Sequence, residues 1–295
     1  MKTVFMTGAS GFIGQAVAQE LVHHGYKVIG LTRSEAGVQQ LRALGVEACF
    51  GDIHETASWE SAVSRADAVI HTAFNHDFST FLENCQDDYQ LIQTLGQLLK
   101  GSDRPLLVTS GAFFTGRERN TPVEHALEST TTFPRALSDE SAWLCAEQGV
   151  KAMVVGLTQV HNRHRFGLIS YLFDIAKQTS MSAYVDPSDN LWAGVHLSDA
   201  ATLYRLVLER GVQGEKYIAA AEENISLYRV AQAVGDRLSL PVTAISPQQA
   251  EAHFQWLAHL VQADLNASAL QTRQQLGWTP SGPDLFDDLA KAVLS

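Results

Sequence analysis

Three glycines near the start of the chain have the spacing of a turn that holds phosphate groups. Gly8, Gly11 and Gly14 follow a short apolar run from Lys2 to Met6, and apolar residues then recur at helical spacing as far as Val22. Strand, glycine turn and helix in this order form the context that a dinucleotide-binding turn requires, whereas a chance glycine-rich turn would lack the flanking elements. We therefore expect a pyrophosphate at this helix N-terminus. The residues expected to contact the dinucleotide here are Gly8, Ser10, Gly11, Phe12, Ile13 and Gly14.

A basic residue occupies the position that contacts the ribose of the cofactor in such sites. In NAD-binding turns, an acidic residue about 20 positions past the glycines binds the ribose 2′-hydroxyl. The matching residue here is Arg33, followed by Ser34. A guanidinium pairs with a 2′-phosphate, and a serine hydroxyl adds a hydrogen bond. The pattern favours NADP(H) over NAD(H), and the alternative is an exposed arginine at a strand end with no ligand.

Small or polar residues also follow the next three predicted strands. Parallel strands end at a common edge of the sheet, and ligands bind outside that edge. We therefore expect further cofactor contacts where these strands end, although Gly51-Asp52 and Thr109-Ser110 are also ordinary turn sequences. The expected contacts are Asp52, Ile53, Thr72, Ala73 and Ser110.

The bulk composition sets limits on partners and surroundings. The chain has 295 residues, 45% of them apolar, and a formal net charge of −11, which argues against nucleic acid or an anionic membrane as a partner. No apolar run is long enough to span a bilayer, and the first strand begins at Lys2 without room for a signal peptide. Three scattered cysteines without a CxxC pair fit the cytoplasm, and no metal-ligand spacing stands out.

Strands and helices alternate along the first half of the chain, and this order predicts an α/β fold with a parallel sheet. Segments spread over nearly the whole chain resemble the extended, NAD-dependent epimerase/dehydratase-like short-chain dehydrogenase/reductases. The resemblance implies a doubly wound Rossmann domain of residues 1–159 with 195–221. It also implies a smaller, mostly helical substrate region of residues 160–194 with 222–295. The matching segments are 7–14, 51–53, 70–73, 108–110, 195–201 and 276–280.

The catalytic pair of that family is missing from this sequence. In the family, a tyrosine and a lysine four residues apart on the helix after the fifth strand exchange the proton while hydride moves to or from the nicotinamide. The matching positions hold Arg135 and Asp139, and no Tyr-x-x-x-Lys occurs anywhere in the chain. The chain is therefore most similar to the atypical branch, which keeps the glycine turn and lacks the usual active-site residues. The family's serine matches either Ser110 or Gly111, depending on the alignment.

Several residues remain as candidates to replace the tyrosine, each with a structural alternative. Tyr184 offers a donor hydroxyl or simply packs as an aromatic ring. His161 is either an acid–base group near neutral pH or a bystander in a loop. Arg135 keeps its proton, so it either orients an anion or is a solvated residue at a helix start. The resemblance also makes Thr158 a cofactor contact, and Ser110 is both a catalytic and a cofactor candidate.

Two functions fit these observations. The first is an NADP(H)-dependent oxidoreductase acting on a small carbonyl or sugar-like substrate. The second is a non-catalytic NADP(H)-binding protein that reports redox state to a partner. We favour the enzyme because the region around Tyr184 and Trp192 is polar and aromatic, as a small-molecule pocket would be. The resemblance further implies a homodimer built from the helices matching residues 86–99 and 137–148.

Overall fold

Alternating strands and helices dominate the computed structural model, which describes residues 1–112, 134–188 and 190–293. The strands are β1 (Thr3–Thr7), β2 (Lys27–Thr32), β3 (Glu47–Phe50), β4 (Ala68–His71), β5 (Pro105–Gly111), β6 (Lys151–Leu157), β7 (Gln159–Asn162), β8 (Arg165–Phe166), β9 (Ser182–Val185), β10 (Leu191–His196), β11 (Lys216–Ala219), β12 (Glu222–Ser226) and β13 (Val242–Ile245). The α-helices are α1 (Phe12–His23), α2 (Glu35–Ala43), α3 (Glu60–Ser64), α4 (Phe81–Leu99), α5 (Leu137–Glu147), α6 (Ile169–Thr179), α7 (Leu197–Arg210), α8 (Leu227–Leu238), α9 (Pro247–Phe254), α10 (Ala258–Val261), α11 (Leu270–Leu276) and α12 (Leu285–Ala290). Short 3₁₀ turns lie at Thr56–Ser58, Phe78–Thr80, Pro134–Ala136 and Gln255–Leu257.

A seven-stranded sheet carries the glycine turn. Its strand order is β11-β6-β5-β4-β1-β2-β3, so the chain winds outward in one direction from β1 and in the other from β4. The pairings of β1 with β2 and with β4 are parallel, as are β2 with β3 and β4 with β5. This topology confirms the predicted α/β doubly wound sheet. The crevice between β1 and β4, where the winding reverses, is the place where such sheets bind ligands.

Close packing of backbone against backbone explains two of the three glycines. Gly8 has φ +67°, a left-handed conformation, and a Cβ there would lie 2.6 Å from the backbone nitrogen of Ala73. A Cβ on Gly14 would overlap the carbonyl oxygen of Gly8. The turn therefore fits against the end of β4 and under the start of α1 only because these side chains are absent.

Apolar side chains from both halves of the sheet form its core. Trp59 is fully buried, stacks on Phe5 with ring centroids 6.1 Å apart, and donates its indole N–H to the carbonyl of Asp52 at 3.1 Å. Burial of the ring and pairing of its one polar atom together fix the loop that follows β3.

The chain divides into two compact units. The first comprises residues 1–156, 200–217 and 274–278, and the second comprises 157–199, 218–273 and 279–295. Besides its helices, the second unit contains a four-stranded sheet of order β12-β10-β7-β8 and the parallel pair β13-β9. Among the described residues, no helix has the length and apolar character needed to cross a membrane.

Helices α4 and α5 pack closely because a glycine faces a cysteine. A Cβ on Gly96 of α4 would clash with the Cys145 sulfur on α5, well inside the van der Waals contact distance of carbon and sulfur. Gln93, one turn earlier on α4, donates to the carbonyl oxygen of Ser141 on α5 at 3.0 Å. The close approach positions the first turn of α5, where two site residues lie.

Replacing Gly96 by alanine should therefore destabilise the protein by about 1–3 kcal/mol, as overpacking of a tight core does. Truncating the facing residue should relieve the clash, so that Gly96→Ala combined with Cys145→Ala costs less than the sum of the two single changes. Urea unfolding of the four proteins measures this coupling. Strict additivity would contradict the proposed contact.

Candidate active site

The glycine turn leaves the N-terminus of α1 open to an anion. Gly11 is the N-cap residue, has an extended backbone (φ −79°, ψ 173°), and no side chain caps the helix. An uncapped helix start attracts negative charge through its N–H groups and the helix dipole. The lack of a cap and the space left by the missing Cβ atoms fit a dinucleotide pyrophosphate.

The residues that we expect to contact the adenosine end of the cofactor lie just past the ends of β2 and β3. These two strand ends are neighbours, since Thr32 pairs with Phe50. Arg33 is exposed and makes no hydrogen bond or ion pair with the described residues. Ser34 caps α2, accepting from the Gly37 N–H at 3.1 Å, and its own proton remains available to donate. Asp52 accepts from the His54 N–H at 2.9 Å and uses one carboxylate oxygen to do so.

Ile53, which follows Asp52, and the two residues at the end of β4 are partly buried. The Thr72 hydroxyl donates to the carbonyl oxygen of Thr7 at 2.8 Å, and this bond ties the end of β4 to the end of β1. Ala73 is the residue that the glycine turn approaches. Thr72 and Ala73 thus form one wall of the crevice between β1 and β4.

Arg135, the residue that the resemblance matches to the family's tyrosine, is held by a buried carboxylate. Its Nη1 lies 2.6 Å from Asp88 Oδ2, and its Nη2 donates to the carbonyl oxygen of Thr109 at 3.0 Å. The guanidinium also lies 3.9 Å from the centre of the Phe74 ring, a cation–π contact. The side chain is only 12% exposed. Its charge is balanced inside the protein, so it is not a solvated residue at a helix start.

Asp88 gathers hydrogen bonds from several elements. Besides Arg135, it accepts from His71 Nε2 at 2.8 Å and from the Ser138 hydroxyl at 2.5 Å. Burial opposes ionisation of this carboxyl, but the charge of Arg135 and the bonds from His71 and Ser138 outweigh burial. They hold the pKa of Asp88 well below its ordinary value. His71 also bonds to the Thr7 hydroxyl at 2.6 Å, which links the network to β1.

One tyrosine does lie in this part of the structure, but it cannot take the missing role. The Tyr204 hydroxyl is 2.6 Å from the Thr109 hydroxyl. The side chain is fully buried, and burial raises the pKa of Tyr204 far above its ordinary value. A buried, fully protonated phenol packed behind β5 does not meet a substrate.

Ser110, at the end of β5, and Asp139, in the first turn of α5, contact each other. The Ser110 hydroxyl donates to Asp139 Oδ2 in a very short hydrogen bond. The other carboxylate oxygen lies 2.7 Å from the Lys216 ammonium, which also donates to the carbonyl oxygen of Gly111 at 2.9 Å. Ser110 and Asp139 are 3% and 1% exposed. Sequence reasoning did not identify Lys216 and Asp88, because they contact residues far away along the chain.

The remaining candidates belong to the second unit and have partners there. Thr158 donates to the carbonyl oxygen of Ala219 at 2.6 Å. His161 is fully buried, with Nδ1 at 2.9 Å from Asp288 and Nε2 at 2.9 Å from Glu222. The ring of Tyr184 packs edge-to-face against the ring of Tyr228, with the ring centroids 4.8 Å apart. In the described part of the chain, no cluster of histidine, cysteine or acidic side chains is arranged to bind a metal.

Removing the positive charge of Arg135 beside Asp88 should lower the free energy of unfolding. Arg135→Met leaves a buried carboxylate without its main counter-charge, and we expect a loss of about 3–5 kcal/mol in the free energy of unfolding. The matched control is Arg65→Met, which breaks an exposed pair with Glu47 and should cost at most about 1 kcal/mol. Chemical denaturation at neutral pH measures the free energy of unfolding of both variants. Equal losses in the two variants would mean that Arg135 is not the counter-charge of Asp88.

Comparison with known proteins agrees with this geometry. The sequence profile of the NAD dependent epimerase/dehydratase family matches residues 4–220. An uncharacterized protein of Schizosaccharomyces pombe is 36% identical over 288 residues, which cover 97% of this chain and 98% of that protein. The sterol-4-alpha-carboxylate 3-dehydrogenase (decarboxylating) of Dictyostelium discoideum is 25% identical over 227 residues, 72% of this chain and 69% of that enzyme.

A solved structure shows the likeness of fold. DesIV, the dTDP-glucose 4,6-dehydratase of Streptomyces venezuelae, solved with NAD and TYD bound, superimposes with a TM-score of 0.74 at 18% identity. The match covers 98% of this chain and 95% of that one. The profile match and the fold lead to one conclusion: the chain belongs to the NAD dependent epimerase/dehydratase family, the NAD(P)-binding oxidoreductases of the extended short-chain dehydrogenase/reductase type.

Proposed function

We propose that the protein is an NADP(H)-dependent oxidoreductase that acts on a small carbonyl or sugar-like substrate. When bound, the cofactor supplies or accepts the hydride. The protein contributes the glycine turn for the pyrophosphate, the end of β4 as a wall of the crevice, and polar groups at the end of β5.

The observation that carries the choice of cofactor is Arg33. An exposed guanidinium without a partner among the described residues stands just past β2, next to a serine that retains a donor proton. A 2′-phosphate would give this arginine charge-assisted hydrogen bonds, and a ribose 2′-hydroxyl would not. A carboxylate, the group that NAD-binding turns place here, would repel the phosphate instead.

Support for hydride transfer comes from the family and from the strand ends. The Dictyostelium relative is named as a dehydrogenase over a match that spans most of both chains. In this chain, the Ser110 side chain remains at the end of β5, where a substrate oxygen would approach the cofactor. The non-catalytic alternative has no comparable observation in its favour, so the enzyme is our conclusion.

Reversing the charge at position 33 should separate the two cofactors. Arg33→Asp should weaken NADPH binding by about 10–100-fold, the worth of one or two charge-assisted hydrogen bonds, and change NADH affinity less than about threefold. Titration of NADPH fluorescence measures both dissociation constants. Arg42→Asp makes the same charge change on the exposed face of α2 and should leave both affinities nearly unchanged. Parallel loss of NADH and NADPH affinity in Arg33→Asp would argue against a 2′-phosphate contact.

Turnover tests the reaction itself. We expect the purified protein to oxidise NADPH with at least one member of a panel of small aldehydes, ketones and keto sugars, or to reduce NADP⁺ with the matching alcohols. Absorbance of the reduced nicotinamide follows both directions. Tight NADPH binding without turnover on the whole panel would overturn the enzyme and leave the redox-reporting protein.

A further inference from the structure

We propose that Ser110 and Asp139, positioned by Lys216, form the proton acceptor of an alcohol substrate and return the proton in the reverse direction. This unit would replace the missing tyrosine as the acid–base group. The inference rests on the proposed hydride transfer, and the experiment below separates the failure of one from the failure of the other.

The three side chains come from three separate elements. Ser110 lies at the end of β5, Asp139 in the first turn of α5, and Lys216 at the start of β11. In the sheet order β11-β6-β5, the lysine starts two strands away from the serine, and its ammonium reaches the end of β5 to bond the carbonyl oxygen of Gly111. The meeting point is therefore the strand edge where this fold binds its ligands.

Lys216 supplies the positive charge that a lysine at position 139, as in the family, would have supplied. An aspartate at 139 replaces a cation with an anion, and this carboxylate is 1% exposed. A buried carboxylate needs a counter-charge and hydrogen bonds to remain ionised. The Lys216 ammonium lies 2.7 Å from Oδ1, and the Ser110 hydroxyl bonds to Oδ2. Asp139 thus has an ion-pair partner at one oxygen and a hydrogen-bond donor at the other.

The direction of the Ser110 bond indicates which kind of group it can meet. A carboxylate only accepts hydrogen bonds, so the single hydroxyl proton of Ser110 points to Asp139. Towards a ligand, Ser110 presents lone pairs. Its complement is a donor, which means the hydroxyl of an alcohol and not the oxygen of a carbonyl.

The other polar groups nearby do not compete for this role. Arg135 keeps its proton and is paired with Asp88. Tyr204 is fully buried behind β5. Ser138 lies between Arg135 and Asp88 and bonds to both. Among the described residues at this strand end, the Ser110–Asp139 pair is the group that can take a proton and pass it on.

The step balances as an alcohol oxidation. The substrate hydroxyl gives its proton to Ser110 Oγ as the Ser110 proton moves to Asp139 Oδ2. The carbinol C–H bond breaks, and its electron pair and hydrogen pass as hydride to the oxidised nicotinamide, leaving a carbonyl. In the reverse direction, protonated Asp139 supplies the proton through Ser110. Oxidation therefore requires ionised Asp139 and increases with pH, whereas carbonyl reduction requires the protonated carboxyl and decreases with pH.

The experiment measures pH–rate profiles in both directions for the full-length protein and for Ser110→Ala, Asp139→Asn, Lys216→Met and Lys216→Arg. We expect Ser110→Ala and Asp139→Asn to lose about 100-fold or more in kcat, the usual worth of general acid–base catalysis. In Lys216→Met, the acidic limb of the oxidation profile should move to higher pH, because the carboxylate then binds a proton more readily. Lys216→Arg, which keeps the charge, should restore most of the wild-type profile.

Binding and folding supply the controls. NADPH affinity, measured by fluorescence, should stay within about threefold in Asp139→Asn and in both Lys216 variants, since neither residue is among the expected cofactor contacts. Lys100→Met removes an exposed lysine after α4 and should leave the profile unchanged. If Lys216→Met does not fold, Ser110→Ala and Lys216→Arg still decide the question, because each changes the site less.

The outcomes are distinct. Wild-type turnover with unchanged profiles in Ser110→Ala and, where it folds, in Lys216→Met would overturn the proton unit and leave the proposed function standing. Wild-type protein that binds NADPH and turns over no member of the panel in either direction would overturn both. Opposite pH dependences in the two directions, shifted in Lys216→Met and restored in Lys216→Arg, would support both.

Discussion

A buried carboxylate, Asp88, sets the arrangement of the candidate site. It lies on α4 and accepts hydrogen bonds from β4, from the turn before α5 and from α5 itself. An ionised group removed from water is tolerated only when its partners are in place, so each partner is held where Asp88 requires it. Arg135 is consequently fixed against Asp88 and the Phe74 ring. The residue that the resemblance matches to the family's tyrosine is therefore part of the framework.

The second buried carboxylate, Asp139, has a different environment. Its partners are a hydroxyl at a strand end and an ammonium from another strand. Asp88 accepts hydrogen bonds from three elements and is held ionised, whereas Asp139 has a hydrogen-bond donor at one oxygen and an ion-pair partner at the other. In our proposal, Asp88 stabilises the fold and Asp139 exchanges protons.

Local patterns in the sequence were sufficient to predict the parts of this structure that depend on neighbouring residues. The glycine turn, the alternation of strands and helices and the α/β doubly wound sheet all follow from spacing within short segments. The absence of a Tyr-x-x-x-Lys pair could also be read directly from the sequence. Arg33 could be proposed as a cofactor contact because one helix, one turn and one strand separate it from the glycines.

Contacts between distant segments could not be predicted in this way. Nothing near Lys216 indicates that its ammonium meets Asp139, and nothing near Arg135 indicates that Asp88 neutralises it. Sequence reasoning therefore left Arg135 between an anion-binding residue and a solvated one, whereas its partner is a buried side chain on another helix. His161 likewise gave no sign that both of its ring nitrogens face carboxylates. These pairings arise only when the sheet and its helices are assembled.

The most direct test of this account is a crystal structure of the protein with NADP⁺ bound. The account predicts the 2′-phosphate on Arg33 and the Ser110 hydroxyl within about 4 Å of the place where a substrate oxygen would meet the nicotinamide C4. Arg135 should remain on Asp88. A nicotinamide lying away from the end of β5, or an Arg135 that has left Asp88 to face the nicotinamide, would contradict it.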